Sequence, residues 1–376
     1  MIPSLFLSTS VNIFPMSLSI GIVGLPNVGK STLFNALTNN NILVANYPFA
    51  TIEPNTGIVP VPDARLDKLA ELYKSEKIIP ATVTFVDIAG LVAGASKGEG
   101  LGNKFLANIR QCEAIVHIVR AFHDDSVIHI SDKVDPRSDI EIINTELILA
   151  DIQTIESHLP KVIKELKAQP KQKIVIDYLN ELLNYLKSGG LASSLSNLKM
   201  EFIADINLLT AKPVIYVFNV DEETLINDDK KADLAKMVAP AKAIFVCAKL
   251  EDELKELTPT DSAELLASYG VKETGLLQLI HAAYDILGYQ SYLTAGVKEV
   301  RAWTIKKGAT APQAAGVIHT DFEKGFIAAQ IVDYNDLITT GSEFAAKTAG
   351  KMRTEGRDYV MRPGDVVEFR FNINKQ

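Results

Sequence analysis

Gly24-Leu25-Pro26-Asn27-Val28-Gly29-Lys30-Ser31 follows a short apolar run containing Ile20, Ile22 and Val23, and it leads into Thr32-Leu33-Phe34-Asn35-Ala36-Leu37. The spacing is G-x-x-x-x-G-K-[ST] between a strand and a helix, which is the pattern of a phosphate-binding loop. Glycines let backbone N–H groups converge on phosphate oxygens, and the helix that follows turns its positive end toward them. In this loop Lys30 is positioned to place a charge on the β- and γ-phosphates and the Ser31 hydroxyl to ligate Mg²⁺. Asn27, Val28, Gly29 and Thr32 complete the cradle.

A second apolar strand, Val83-Thr84-Phe85-Val86, runs into Asp87-Ile88-Ala89-Gly90. This D-x-x-G places Asp87 to hold Mg²⁺ through water and the Gly90 N–H to sense the γ-phosphate. Between the two motifs lies Asn46-Tyr47-Pro48-Phe49-Ala50-Thr51, where Thr51 is a candidate second hydroxyl ligand for Mg²⁺ when the loop is ordered around a triphosphate. The set predicts a nucleotide switch. The residue after D-x-x-G is Leu91, where related switches carry a water-positioning Gln. A leucine cannot orient water, so hydrolysis is either slow or uses another group. His117, which interrupts the strand Ala114 to Arg120, is one candidate, with a satisfied core histidine as the other reading of that position. Asn27 is also a candidate ligand for K⁺ near the phosphates.

The base-recognition loop is expected after the strand Val214 to Phe218 and reads Asn219-Val220-Asp221-Glu222. A guanine-specific loop carries Asn-Lys-x-Asp, whose Asp accepts from N1–H and the 2-amino group. Here Val220 replaces the Lys and Glu222 the Asp. Adenine lacks those two donors, so the loop predicts ATP as the preferred nucleotide, with Asn219 or a backbone carbonyl accepting from the 6-amino group. Val246-Cys247-Ala248-Lys249 supplies the last base-side loop, in which Ala248 presents its amide.

Together the stretches GLPNVGKST (24–32), NYPFATIEPNTG (46–57), FVDIAGLVAGASKGEGLGNKFL (85–106), NVDE (219–222), YLTAGVKEVRAWT (292–304) and HTDFEKGF (319–326) resemble the Obg-like ATPases of the YchF type. The resemblance runs from Met16 to the C-terminus, with a shorter connection in the middle helical segment. It implies an ATP-preferring NTPase, a weaker GTPase, that associates with the ribosome and modulates translation or a stress response. Two other readings stay open. One is an ATP-gated ribosome- or RNA-binding module with incidental hydrolysis. The other is an ordinary GTPase with relaxed base recognition.

The elements that must position these residues read as an α/β doubly wound, Ras-like P-loop fold over 17–134 and 202–291. Residues 135–201 interrupt it. Ile148, Ile152, Ile155, Leu159, Val162 and Leu166, then Val175, Leu179, Leu182 and Leu186, keep helical spacing on either side of Lys167-Ala168-Gln169-Pro170. This predicts an antiparallel helical hairpin, with Pro160 kinking its first helix. From 292 to 376, β-branched runs alternate with Gly turns around a helical run at 342–352, as in a small α+β module. By resemblance that module is a TGS domain of β-grasp fold. The module, and a hairpin tip with six Lys against three acids between Lys161 and Lys187, are candidate RNA contacts.

Composition bounds the rest. Apolar residues make up 47% and charged ones 22% of 376 residues, as in folded soluble proteins. The net charge of −8 argues against a general nucleic-acid binder, while the stretch from Leu293 onward is slightly basic and permits a local contact. Cys112 and Cys247 imply no disulfide framework and fit a reducing compartment. Residues 1–16 read as an apolar extension without Lys or Arg, unlike a secretory signal. With no uninterrupted run of 18 apolar residues, a monomeric cytoplasmic protein with no membrane contact is expected.

Overall fold

The computed structural model describes residues 19–39, 55–88, 101–123, 134–166, 172–255 and 257–372. The strands in chain order are β1 (Ser19–Val23), β2 (Thr56–Pro60), β3 (Ile78–Ile79), β4 (Thr82–Asp87), β5 (Ala114–Ala121), β6 (Val214–Val220), β7 (Lys242–Val246), β8 (Tyr289–Ala295), β9 (Val300–Lys306), β10 (Phe326–Asp333), β11 (Arg353–Glu355) and β12 (Asp365–Phe371). The helices that matter for the site are α1 (Lys30–Asn39), α2 (Ala64–Tyr73), α3 (Leu101–Gln111), α4 (Pro136–Leu166) and α5 (Gln172–Lys187).

The first sheet has the order β2-β4-β1-β5-β6-β7. All its pairings are parallel except β2 with β4. Strands β1 and β5 are buried along almost their whole length, which explains their unbroken apolar runs: helices cover both faces of such a sheet. Parallel register brings the C-terminal ends of β1, β4, β5, β6 and β7 to one edge. Ile22 pairs with Asp87, Val23 with His117, and Asn219 with Val246. Ligands of open α/β sheets bind at such an edge.

Helices α4 and α5 form the antiparallel hairpin. The residues spaced for its seam are its core: Ile155, Val162, Leu179, Leu182 and Leu186 are buried against one another. The first half of α4 belongs elsewhere, because Ile143, Leu147 and Ala150 join the core of the nucleotide sheet. The helix runs through Pro160 as a single element. The turn at 167–170 lies outside the described residues.

The second sheet has the order β11-β10-β12-β8-β9-β3 and forms a β-grasp-like module with the helices Ala311–Ile318 and Thr320–Lys324. Its edge strand β3 comes from the other end of the chain. Ile78 pairs with Val300 and Ile79 with Arg301. The Ser75 hydroxyl donates to Gly296 O, and the Glu76 N–H to Val297 O. Leu66 and Leu69 of α2 share one core with Leu293, Val300, Ala302 and Val366. Two buried residues give no sequence sign of belonging to a second domain, so this seam was not legible in advance. Among the described residues no helix is long and apolar enough to cross a membrane.

Candidate functional site

The loop after β1 is shaped by two close approaches and two positive φ angles. Gly24 packs so tightly that a Cβ there would lie 2.6 Å from Ile118 O. Asn27 and Gly29 have φ of 62° and 96°, in the left-handed region that glycine enters freely and asparagine better than most residues. A Cβ on Gly29 would stand 2.5 Å from the Asn219 amide nitrogen. The chain therefore turns sharply into α1, whose first turn closes with Leu33 N–H donating to Gly29 O at 2.9 Å. Ser31 and Thr32 are exposed on that turn, ready for a ligand.

Lys30 and Asp87 act on each other across the edge. Burial lowers the Lys30 pKa and Asp87 raises it again; burial raises the Asp87 pKa and Lys30 lowers it again. The Asp87 N–H donates to Asn55 O at 2.8 Å, and Ile88 N–H donates to Ile22 O, fixing the end of β4 between the start of β2 and β1. Asp87 Oδ1 is buried and has no hydrogen-bond partner among the described residues. A buried carboxylate oxygen left unpaired is costly. It fits a hard divalent cation or the water bound to one, for which oxygen ligands are the rule. Thr51, Gly90 and Leu91 lie outside the described residues.

On the base side, β6 ends in Asn219 and Val220. The Asn219 amide, 5% exposed, donates to Val28 O at 3.1 Å. Through this one N–H it ties the phosphate loop to β6, while the bond leaves the amide oxygen free to accept. Val220 is 2% exposed and packs with Phe218, Leu225 and Leu250. Its side chain faces the core and leaves no charged stem at the position a guanine-specific loop gives to lysine. β-strand alternation sends the Asn219 side chain toward the phosphate loop and Val220 inward. Asp221 caps the helix Glu222–Ile226 by accepting from Thr224 N–H at 2.8 Å. Glu222 reaches the neighbouring loop and pairs with Lys249, Nζ to Oε1 2.8 Å. Ala248 opens the helix Ala248–Leu254, behind a buried Cys247. The spacing within NVDE and CAK carries no sign of the Glu222–Lys249 pair, because only the fold brings the two loops together.

His117 is buried, 2% exposed, with its ring centroid 5.2 Å from that of Tyr216. Burial pushes its pKa down to about 3. A neutral imidazole inside the sheet packing is not presented to water, so the geometry favours the core-histidine reading over the catalytic one. The expected result is that His117 ring signals show no titration between about pH 5 and 8 in a histidine NMR experiment, where an ordinary imidazole changes charge. The unfolded chain takes up a proton near pH 6.5 that the native chain refuses until about 3, so this residue removes stability as pH falls below its ordinary value. Replacement by Ala should lower stability while leaving turnover per folded molecule within about threefold, the cost being that of a core truncation. A titration near pH 6.5, or loss of turnover with ATP binding intact, would return His117 to the mechanism.

A cavity of about 380 Å³ lies away from this edge, between α2 and the second sheet. Its charges are already paired, Arg65 with Asp63 and Lys307 with Asp285, which makes it a seam rather than a reactive site.

Comparisons with known proteins agree with this geometry. Residues 19–180 match the family model described as 50S ribosome-binding GTPase. Residues 289–372 match the model of the C-terminal region of YchF GTPases, described as a protein of unknown function. The ribosome-binding ATPase YchF of Haemophilus influenzae is 52% identical over 363 residues, covering 95% of this chain and 100% of that one. That of Bacillus subtilis is 50% identical over 366 residues with the same coverage. The solved structure of the Schizosaccharomyces pombe YchF GTPase superposes with a TM-score of 0.82 at 40% identity, covering 94% of this chain and 98% of that one. With a phosphate loop, a D-x-x-G aspartate and an altered base loop at one sheet edge, and with half the residues shared over nearly its whole length, the chain belongs to the YchF family of P-loop nucleoside triphosphatases.

Proposed function

We propose that this chain is an Mg²⁺-dependent, ATP-preferring switch that binds ribosomes and acts on translation, hydrolysing GTP less well. The observation that carries the reading is the buried Asp87 oxygen left unpartnered at the end of β4, which pairs in register with β1 just before the phosphate loop. Lys30 binds and orients the β- and γ-phosphates, and the loop N–H groups from Asn27 to Thr32 hold the remaining oxygens. Ser31, Thr51 and Asp87 would hold Mg²⁺, Asp87 through water. When bound, the ion neutralises charge on the phosphates. Gly90 would report the γ-phosphate to the segment after it. Asn219 keeps the phosphate loop in register with the base loops, and Glu222 and Ala248 face the base.

Ribosome binding is inferred from the relatives, which are ribosome-binding ATPases. The hairpin and the C-terminal module are the surfaces we assign to RNA contact, in a monomer working in the cytoplasm. The domain limits we assign are 17–134 and 202–291 for the nucleotide domain, 135–201 for the hairpin and 292–376 for the C-terminal module, after the extension 1–16.

Leu91 supports slow turnover by the free chain, since it cannot align the attacking water. The expected result is therefore that ribosomes raise ATP turnover at least tenfold, about 1.4 kcal/mol of barrier. Phosphate release with and without ribosomes measures it. No stimulation, with ribosome binding intact, would favour the ATP-gated binding module over the timed hydrolase. The same assay in K⁺ and Na⁺ buffers tests the K⁺ role of Asn27, which equal rates would remove.

A further inference from the structure

Asn219 and Val246 are register partners at the ends of β6 and β7, and Glu222 and Lys249 each lie three residues beyond them. The two side chains thus project from the same edge that carries the phosphate loop, to which Asn219 is itself bonded. They meet at 2.8 Å, Lys249 Nζ to Glu222 Oε1. We propose that Lys249 is a specificity-determining residue that occupies the Glu222 carboxylate and so denies guanine the acceptor it needs. This rests on the ATP-preferring reading above and names the device behind it.

Guanine recognition by an acidic side chain requires two free oxygens and a full negative charge, because N1–H and the 2-amino group donate side by side. An ammonium on Oε1 takes one oxygen and offsets part of the charge. Glutamate is one methylene longer than aspartate, which lets it span to the neighbouring loop where an aspartate would stop short.

Folding does not account for the pair. Asp221, not Glu222, caps the helix, accepting from Thr224 N–H. The Lys249 and Glu222 side chains are 72% and 38% exposed, and ion pairs so exposed add little to stability. Nothing in the packing requires a lysine at that position.

The test is binding of ATP and GTP, in Mg²⁺, to the full native chain, Lys249→Met, Glu222→Gln and the double variant. Methionine keeps the length and apolar stem of lysine while freeing the carboxylate. Lys249→Met is expected to raise GTP affinity relative to ATP by up to about fivefold, the worth of an exposed ion pair that guanine no longer has to break. In the Glu222→Gln background the same change is expected to leave the ratio within about twofold, because there is no charge left to release. An ATP-preferring native chain whose ratio does not move in Lys249→Met overturns this inference alone. An equal shift with and without Glu222 also overturns it. A native chain that prefers GTP overturns both the inference and the ATP reading beneath it. Thermal unfolding of Lys249→Met should match that of the native chain, which separates loss of selectivity from loss of fold.

Discussion

Lys30→Ala should reduce turnover by about 10²–10³, the loss expected when one preorganised donor to developing phosphate charge is removed. It should weaken ATP and GTP by the same factor, because phosphate contacts do not read the base. A second consequence follows from its neighbour. Lys30 is what opposes the burial of Asp87, so without it the Asp87 carboxyl moves further up and is harder to ionise. The variant should then need more Mg²⁺ to reach half-maximal turnover. Phosphate release over an Mg²⁺ series, with calorimetric binding of both nucleotides, measures all three effects. Turnover within about tenfold of native, or a loss confined to one nucleotide, would contradict the assignment of Lys30 to the phosphates.

Asp151→Ala should be the most damaging single change away from the nucleotide. Asp151 is fully buried and accepts from Leu209 N–H at 2.8 Å, from Thr210 N–H at 2.7 Å and from the Thr210 hydroxyl at 2.7 Å. These bonds pin the middle of α4 to the segment that returns from the hairpin into β6. Thr210 passes the link on, its carbonyl accepting from Ser193 N–H and its hydroxyl from Ala192 N–H. Alanine leaves three buried donors without their acceptor at about 1–3 kcal/mol each, partly relieved by entering water, so a loss of about 3 kcal/mol or more is expected. Thr210→Val removes one of the same donors. The double variant should therefore lose less than the two single variants together, which denaturant unfolding followed by circular dichroism can measure. Strict additivity, or a loss under about 1 kcal/mol for Asp151→Ala, would show that the hairpin is held elsewhere.

The phosphate loop was legible because its chemistry demands particular residues in sequence: one glycine where backbones crowd and another where φ is positive, then a lysine and a hydroxyl one after another. The same holds for Asp87, which the parallel register of β4 with β1 carries to the loop. The hairpin core was legible because buried positions on a helix repeat every three or four residues. What failed to show was anything settled by which face of a strand a side chain takes when both faces are buried. Asn219 and Val220 are both in a buried strand end, and only the structure sends one to Val28 and the other to Leu225 and Leu250. His117 suffers the same ambiguity, since a polar residue in an apolar strand can serve packing or chemistry. Contacts between distant segments were equally silent. The two-residue strand β3 and the ion pair between Glu222 and Lys249 each depend on partners brought together by the fold, without a local pattern to announce them.

The central claim is that the base loop has given up guanine. Titration of the purified native chain with ATP and with GTP, both in Mg²⁺, tests it most directly. The account predicts that ATP binds as tightly as GTP or tighter, because the Glu222 carboxylate is engaged by Lys249 and Val220 faces the core. Binding of GTP tenfold or more tighter than ATP would contradict it, and the chain would then be a GTPase that recognises guanine by other groups.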